Sequence, residues 1–298
     1  DLPPLGALRA AEKTAPIDFI GKAILFAARH HLLPEAYLYG FAYLRTSSFY
    51  RSAYLNGEYS SQGFPDYFLW TTLFKTPIPT LLAIALALFA VVRRRGDRAF
   101  LLVPPLIYIG VAVGSAIDIG HRHLLPALAF LIVACGAIAP KRRLLATCAI
   151  VAIAALFVFA PPWNPAPLFG HHLAYFNELA GGPRHGYEHL VDSNLDWGQD
   201  LPALERWLDA NHVTEPITLV YFGDADPRFR GIRHRNMGIF AYEPQDTLPI
   251  DTKYVAISVN EYVGVLEKAT RNGWRERLRG AALVGRAGYS ILIYRLGA

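Results

Sequence analysis

Residues 77–95, PIPTLLAIALALFAVVRRR, join a charge-free apolar run at 77–92 to a block of arginines. Further apolar runs that are nearly free of charge follow at residues 100–117, 124–139 and 144–160. Each run is close to the ~20 residues that an α-helix needs to cross the hydrocarbon core of a bilayer. The sequence therefore predicts about four transmembrane helices in this part of the chain.

Positive charges are concentrated in the links that follow the first and the third run. These basic residues are Arg93, Arg94, Arg95 and Arg98 in one link and Lys141, Arg142 and Arg143 in the other. Short loops rich in lysine and arginine stay in the cytoplasm, which places residues 1–76, 118–123 and 161–298 on the outer side. We therefore expect a polytopic α-helical membrane protein: an outer loop with interfacial helices at 1–76, the spans at 77–160, and an extracytoplasmic α/β domain at 161–298.

The composition fits this topology. Hydrophobic residues make up 53% of the chain and its mean hydropathy is +0.24, which is high for a soluble protein. The two basic links largely explain the net charge of +5, so the charge does not predict a nucleic-acid partner.

The two cysteines, Cys135 and Cys148, fall in predicted spans, where we expect them to act as small apolar side chains rather than to form a disulfide. Since the chain starts at Asp1 without a signal peptide, we expect a fragment whose earlier spans are missing.

The segment 161–298 has the pattern of a small α/β domain. The predicted elements are helices over 169–183, 201–211 and 260–272, strands at 217–222 and 254–259, and a terminal hairpin with strands at 281–285 and 289–296. Asp200 and Asn260 are predicted to cap the second and the third helix. A strand–helix–strand order of this kind predicts a small sheet with helices packed on it.

Residues 1–76 are rich in aromatic side chains but too polar to cross a bilayer. Residues 17–28, IDFIGKAILFAA, predict a helix that lies in the membrane interface or re-enters it. Lys75 follows a cluster of aromatic residues at the outer boundary of the first span. Two interpretations of Lys75 stay open: a side chain that extends its ammonium group to the interface, or a cation that binds a lipid phosphate.

The outer loop DIGHRH begins at Asp118 and contains His121, Arg122 and His123. Charged groups between two spans are unfavourable unless they are paired or functional. One interpretation is an ion pair between Asp118 and Arg122. The other is an anion site in which Arg122 and Lys75 bind the phosphate of a lipid-linked substrate. The remaining side chains of the loop, Asp118, His121 and His123, would then shape the pocket.

The string DSNLDWGQD carries oxygen-bearing side chains at alternating positions, interrupted at Gly198: Asp192, Asn194, Asp196 and Asp200. Oxygen ligands at alternate positions of a loop can surround a calcium ion. The string is not an EF-hand, because Trp197 stands where the turn glycine belongs. The alternative interpretation is a loop whose carboxylates cap the next helix and accept hydrogen bonds from backbone N–H groups.

Several of these segments resemble bacterial glycosyltransferases of the family-39 type, the phospholipid-carrier-dependent membrane enzymes related to protein O-mannosyltransferases. Residues 172–208 resemble the C-terminal region of that family, with DSNLDWGQD as the most specific part. Residues 54–79 resemble its last large outer loop, and HRHLLPALAF at 121–130 resembles the start of a span. Three later strings are similar to the rest of the family's tail, in the same order: VYFGDADPRFRGI (220–232), VAISVNEY (255–262) and GYSILIYRL (288–296).

The resemblance implies the C-terminal portion of an inverting transferase in the bacterial inner membrane. Such an enzyme moves a sugar from a polyprenyl-phosphate donor to a glycan, lipid or protein acceptor on the extracytoplasmic face, without a required cofactor. Its catalytic base is an acidic residue of the first outer loop, which has no counterpart in this chain. Lys75 and Arg122 occupy the positions that match the family's lipid-phosphate contacts.

A function of another class stays open. The chain is then a non-catalytic, membrane-anchored module whose extracytoplasmic tail binds a glycan or a protein. Upstream sequence with several more spans and an acidic first outer loop favours the transferase. A start codon just before Asp1 favours the binding module.

Overall fold

The computed structural model describes residues 18–48, 52–93, 98–115, 117–138, 145, 148, 170–236, 251–264 and 273–297. The helices that precede the tail are α1 (Phe19–Arg29), α2 (Glu35–Ser48), α3 (Tyr67–Lys75), α4 (Ile78–Val92), α5 (Arg98–Val113) and α6 (Leu125–Ala134). Short 3₁₀ turns at His121–Leu124 and Cys135–Ile138 extend α6 at its two ends. Apart from Leu145 and Cys148, the predicted fourth span lies outside the described residues, as do the basic residues at 94–95 and 141–143.

The helices α4, α5 and α6 coincide with the first three apolar runs, which confirms that these runs are helical. Within the described residues, His121–Ile138 is the one segment long and apolar enough to cross a bilayer by itself, with a mean hydropathy of 1.6 over 18 residues. The helices α3 and α4 pass the same test only as a pair, and the pair is bent by 120°. Length and composition therefore give one or two candidate spans, which by themselves are weak support for a membrane protein.

Apolar side chains cover the outer surfaces of α4, α5 and α6. Leu106 and Val111 on α5 are exposed by 64% and 69%, and Leu86 on α4 is exposed by 59%. Other large exposed side chains on these helices are Leu82, Phe89, Val92, Phe100, Val103, Ile107, Leu125, Ile132 and Val133. Because α6 packs against both α4 and α5, these side chains belong to one helical layer. Soluble monomers rarely expose contiguous apolar surface on this scale.

The remaining elements form a hairpin before α3 and an α/β tail. The hairpin consists of β1 (Ala53–Leu55) and β2 (Glu58–Ser60). The helices of the tail are α7 (Gly186–His189), α8 (Leu201–Ala210), α9 (Val259–Val263) and α10 (Gly273–Arg277). Its strands are β3 (Ile217–Val220), β4 (His234–Asn236), β5 (Tyr254–Ser258), β6 (Ala282–Ala287) and β7 (Ile291–Arg295). The tail strands make one sheet in the order β4-β3-β5-β7-β6. The strand β3 is parallel to β4 and β5, whereas β7 is antiparallel to β5 and β6. This mixed sheet confirms the predicted α/β character of the tail.

The helix α8 shows how the apolar pattern positions an element on the sheet. Leu201, Leu204 and Leu208 recur at helical spacing, and all three are buried. They share a hydrophobic cluster with Ile217 of β3 and Ile293 of β7. Burying one such side chain contributes about 1.5–3 kcal/mol, so this face holds the helix against the sheet.

The outer segment and the tail share one hydrophobic core. Its buried members include Tyr67, Phe68 and Phe74 of α3 and Val255, Ile257 and Leu292 of the sheet. The amide group of Asn177 in the tail donates hydrogen bonds to the carbonyl oxygens of Leu73 and Thr76, at 2.5 and 2.8 Å. The sequence boundaries at residues 76 and 161 therefore do not separate two independent cores.

The predicted helix at 169–183 is wrong. From residue 170 onward this segment contains two 3₁₀ turns, His172–Ala174 and Glu178–Ala180. Asn177 lies between them with an extended backbone, and its side chain accepts the N–H of Leu179 while its amide donates to α3. A short polar side chain that competes in this way for backbone groups interrupts a helix.

Of the two predicted helix caps, Asp200 stands at the N-cap position of α8, as expected, whereas Asn260 does not stand at that of α9. Asp200 precedes α8, but its carboxylate makes no hydrogen bond to that helix. Ser258 rather than Asn260 precedes α9, and the side chain of Asn260 instead accepts the N–H of Asp192 at 2.7 Å. The helix α9 ends at Gly264, which has a φ of 71°, and the predicted extension to residue 272 lies largely outside the described residues.

Candidate functional site

The outer loop between α5 and α6 packs against other parts of the chain. Asp118 is only 4% exposed, and its Oδ2 accepts the N–H of Phe64 at 2.5 Å. Burial raises the pKa of Asp118 to about 6, although this hydrogen bond acts in the opposite direction. Among the described residues this carboxylate makes no ion pair with Arg122, so it fixes the loop to the outer segment instead.

The next part of the loop passes very close to the tail. The hydroxyl of Ser193 donates a hydrogen bond to the carbonyl oxygen of Ile119 at 2.5 Å. A Cβ atom on Gly120 would lie 2.1 Å from this hydroxyl oxygen, so only glycine leaves room for the contact. The N–H of His121 donates to Oδ1 of Asn194 at 2.9 Å. These contacts tie the loop to the start of DSNLDWGQD.

Asn194 connects three parts of the fold. Its side chain is buried, and its amide nitrogen donates to the hydroxyl oxygen of Tyr67 at 2.9 Å and to the carbonyl oxygen of Val191 at 3.1 Å. Its Oδ1 accepts from the outer loop at His121. Both polar atoms of this side chain, Oδ1 and Nδ2, therefore have hydrogen-bond partners, as buried amide groups in folded proteins normally do.

Lys75 lies at the end of α3 and contacts the tail. Its Nζ donates to the carbonyl oxygens of Leu173 and Asn194, at 2.8 and 2.7 Å. The same atom lies 4.3 Å from the centre of the Phe176 ring. Two of the three N–H groups of the ammonium are therefore used within the protein. These contacts do not support the predicted contact with a lipid phosphate, which stays a prediction.

Arg122 is the exposed member of the outer loop. Its guanidinium carbon lies 5.2 Å from the centre of the Trp197 ring, and no acceptor in the described part of the chain hydrogen-bonds its N–H groups. A guanidinium group has five N–H donors in a planar fork that matches phosphate oxygens. Arg122 therefore presents unused donors at the surface. His121 and His123, in the same 3₁₀ turn, are partly buried.

An apolar groove of about 270 Å³ lies beside this loop, between α3, α5 and α6. Its apolar lining includes Phe68, Leu69, Ile109, Val113, Leu128 and Leu131. His121 also lines it, with its Nδ1 at 3.4 Å from Oγ1 of Thr71. Arg122 follows His121 in the chain, but it is not among the residues that line the groove.

The residues of the predicted calcium loop contact separate partners. Oδ1 of Asp192 accepts the N–H of Ser193 at 2.6 Å. Oδ2 of Asp200 accepts the N–H groups of Tyr289 and Ser290, both at 2.9 Å. Within the described residues, no three histidine, cysteine or acidic side chains lie where they could share a metal ion. The geometry therefore favours the alternative interpretation, in which the carboxylates bind backbone N–H groups.

Asp196 is the most deeply buried acid of this loop, with no exposed surface. Its Oδ1 accepts the N–H of Gly198 at 2.9 Å, whereas its Oδ2 has no partner at hydrogen-bonding geometry among the described residues. Burial raises the pKa of Asp196 to about 7, and the nearby charge of Asp200 acts in the same direction. The hydroxyls of Ser258 and Ser290 lower the pKa but do not offset this effect. The protonated form of this carboxyl group therefore predominates only below about pH 7.

The sequence patterns missed the contact between Trp197 and Arg122, which lie far apart in the chain. In the sequence, Trp197 drew attention only because it stands where an EF-hand has its turn glycine. The signal that could have been used is its position as a large aromatic residue within a polar loop. The arginine of the outer loop was expected to meet Lys75, but the two side chains contact different groups. A scan against protein-family models, a search of curated proteins and a search of solved structures each found no match.

Proposed function

We propose that this chain is the C-terminal part of a membrane glycosyltransferase of the family-39 type. It moves a sugar from a polyprenyl-phosphate donor to a glycan, lipid or protein acceptor on the extracytoplasmic face. The observation that carries the proposal is the position of Arg122: its guanidinium donors are unused, and the preceding residue, His121, lines an apolar groove. An amphiphile with an anionic head group fits both features.

The groove suits the lipid part of such a donor. It is lined almost entirely by apolar side chains and lies between helices whose outer surfaces are also apolar. A prenyl chain that enters it from the bilayer remains in apolar surroundings throughout. The proposal includes the topology predicted from the sequence: a multi-pass protein of the bacterial inner membrane whose tail lies outside.

The phosphate of the donor is placed against Arg122. When the sugar leaves its carrier, negative charge develops on the lipid phosphate, and a planar fork of N–H donors stabilises this charge. Asp118, His121 and His123 belong to the same loop and shape its surface. The proposal needs no metal for this step, and it assigns the general base to an acidic residue outside this chain, as the resemblance implies.

The test is binding of polyprenyl phosphate to the protein purified from its own membranes in mild detergent. Native mass spectrometry is expected to show the lipid bound to the wild type. Arg122→Ala is expected to weaken binding about tenfold or more, since charge-assisted hydrogen bonds are lost. Arg122→Lys is expected to recover only part of the affinity, because an ammonium lacks the planar fork.

Arg206→Ala is the matched control, because Arg206 is an exposed arginine on α8. It is expected to bind like the wild type. Unchanged binding by Arg122→Ala would refute the phosphate site. If the wild type carried only bulk phospholipid and bound no added polyprenyl phosphate, the membrane-anchored binding module would be the better description of the chain.

A further inference from the structure

Trp197 lies on a turn whose backbone is fixed by several hydrogen bonds. Its N–H donates to Oε1 of Gln199 at 2.7 Å. The next residue, Gly198, has a φ of 74°; its N–H donates to Asp196 and its carbonyl oxygen accepts the hydroxyl of Tyr221 at 2.6 Å. A Cβ atom on Gly198 would lie 2.4 Å from that hydroxyl oxygen, so the turn is closely packed. None of these contacts uses the indole ring.

The indole of Trp197 is exposed although its backbone is fixed. The side chain is 50% exposed, whereas the adjacent Leu195 and Asp196 are fully buried. Phe222 lies beside the indole, with ring centres 6.2 Å apart and planes inclined by 48°, and Arg122 lies on it at 5.2 Å. The indole N–H has no acceptor among the described residues. The turn thus presents a large, rigid aromatic surface beside a cation.

We propose that Trp197 and Arg122 together form a binding surface for a sugar phosphate. The indole stacks on the sugar ring, and the guanidinium binds the phosphate attached to it. This inference rests on the proposed function, in which Arg122 holds the phosphate of the donor. It assigns Trp197 to the sugar of that donor rather than to its lipid.

The chemistry of the donor explains why the two residues belong together. In a polyprenyl-phosphate sugar, the sugar is bonded directly to the phosphate. A phosphate held by Arg122 therefore places the sugar within reach of a ring whose centre lies 5.2 Å from the guanidinium carbon. Aromatic rings with a polar edge suit such a ligand, because the ring contacts its C–H face and the N–H donates to a hydroxyl.

The experiment compares two lipids on the purified, full-length protein in detergent: polyprenyl phosphate and polyprenyl-phosphate mannose. The wild type is expected to bind the mannosylated lipid about tenfold more tightly. Trp197→Ala is expected to lose most of this difference while its affinity for polyprenyl phosphate changes by less than about twofold. Trp197→Phe, which keeps an aromatic ring, is expected to retain part of the difference. Phe229→Ala, which removes another exposed ring, is the matched control and is expected to match the wild type.

Each other outcome overturns a specific statement. Equal loss of affinity for both lipids in Trp197→Ala would mean that Trp197 only supports Arg122, and an unchanged preference would mean that it does not contact the sugar. Either result refutes this inference and leaves the phosphate site standing. A wild type that binds neither lipid would refute the proposed function itself, and the sugar surface with it.

Discussion

Gly120→Ala is the most direct test of how the outer loop is joined to the tail. The φ of Gly120 is 175°, an extended conformation that alanine also adopts, so the substitution introduces no backbone strain. Its effect comes from a single contact: the new Cβ atom would lie 2.1 Å from the hydroxyl oxygen of Ser193 and 3.4 Å from the Cβ of Ser193. The hydroxyl must move, and its hydrogen bond to Ile119 is then lost.

The size of this effect follows from the two changes. Forcing an extra methyl group into a well-packed site costs about 1–3 kcal/mol, and the lost hydrogen bond adds about 1 kcal/mol. Gly120→Ala is therefore expected to lower the free energy of unfolding by about 2–4 kcal/mol. Ser193→Ala alone loses only the hydrogen bond, about 1 kcal/mol. The double variant removes the clashing oxygen, so it is expected to be no less stable than Ser193→Ala.

Thermal denaturation of the detergent-solubilised protein, followed by intrinsic fluorescence, measures these differences. Gly110→Ala is the matched control, because in the described part of the chain no atom outside the backbone of its own helix lies within 4 Å of the added Cβ. Its midpoint is expected not to fall. The decisive quantity is the coupling between Gly120 and Ser193 in the double-mutant cycle. Additive effects of the two substitutions would refute the close approach of the loop to the tail.

Two further predictions concern the buried acid and the membrane side of the chain. Burial raises the pKa of Asp196 from 3.8 to about 7. Between these two pH values the carboxyl group binds more protons in the folded protein than in the unfolded chain. Its contribution to the free energy of unfolding therefore falls by at most about 4 kcal/mol as pH rises through this window. In thermal denaturation across that window, Asp196→Asn is expected to decline less than the wild type, since the raised pKa of Asp118 still contributes a decline, and to exceed the wild type above the window. Parallel curves for both proteins would contradict this. In a chain with Cys135 and Cys148 replaced by alanine, a membrane-impermeant maleimide added to intact cells is expected to label Arg122→Cys but not Leu86→Cys. Labelling of Leu86→Cys would contradict a lipid-facing surface on α4.

Local patterns in the sequence predicted those elements whose stability depends on neighbours in the chain. The apolar runs predicted α4, α5 and α6, and the helix predicted over 201–211 corresponds to α8. In each case a periodic apolar face is decided within a few turns of chain.

The prediction failed where polar side chains form hydrogen bonds with distant parts of the chain. The amide of Asn177 donates to α3, and the side chain of Asn260 accepts the N–H of Asp192 instead of capping a helix. Lys75 donates to Asn194, 119 residues away. A buried polar group needs a hydrogen-bond partner, and several residues of matching chemistry satisfy that need equally well until the chain is folded.

The sequence by itself determined that this protein has an apolar helical part, an α/β tail and a charged loop between two apolar runs, because composition and periodicity record which surfaces avoid water. Only the tertiary structure decided what that loop contacts. In the folded chain Asp118 is buried, Lys75 donates two of its N–H groups within the protein, and Arg122 is exposed beside Trp197. The residue before Arg122, His121, lines an apolar groove. These outcomes depend on which side chains lose their water when distant segments pack together, and no local pattern contains that information.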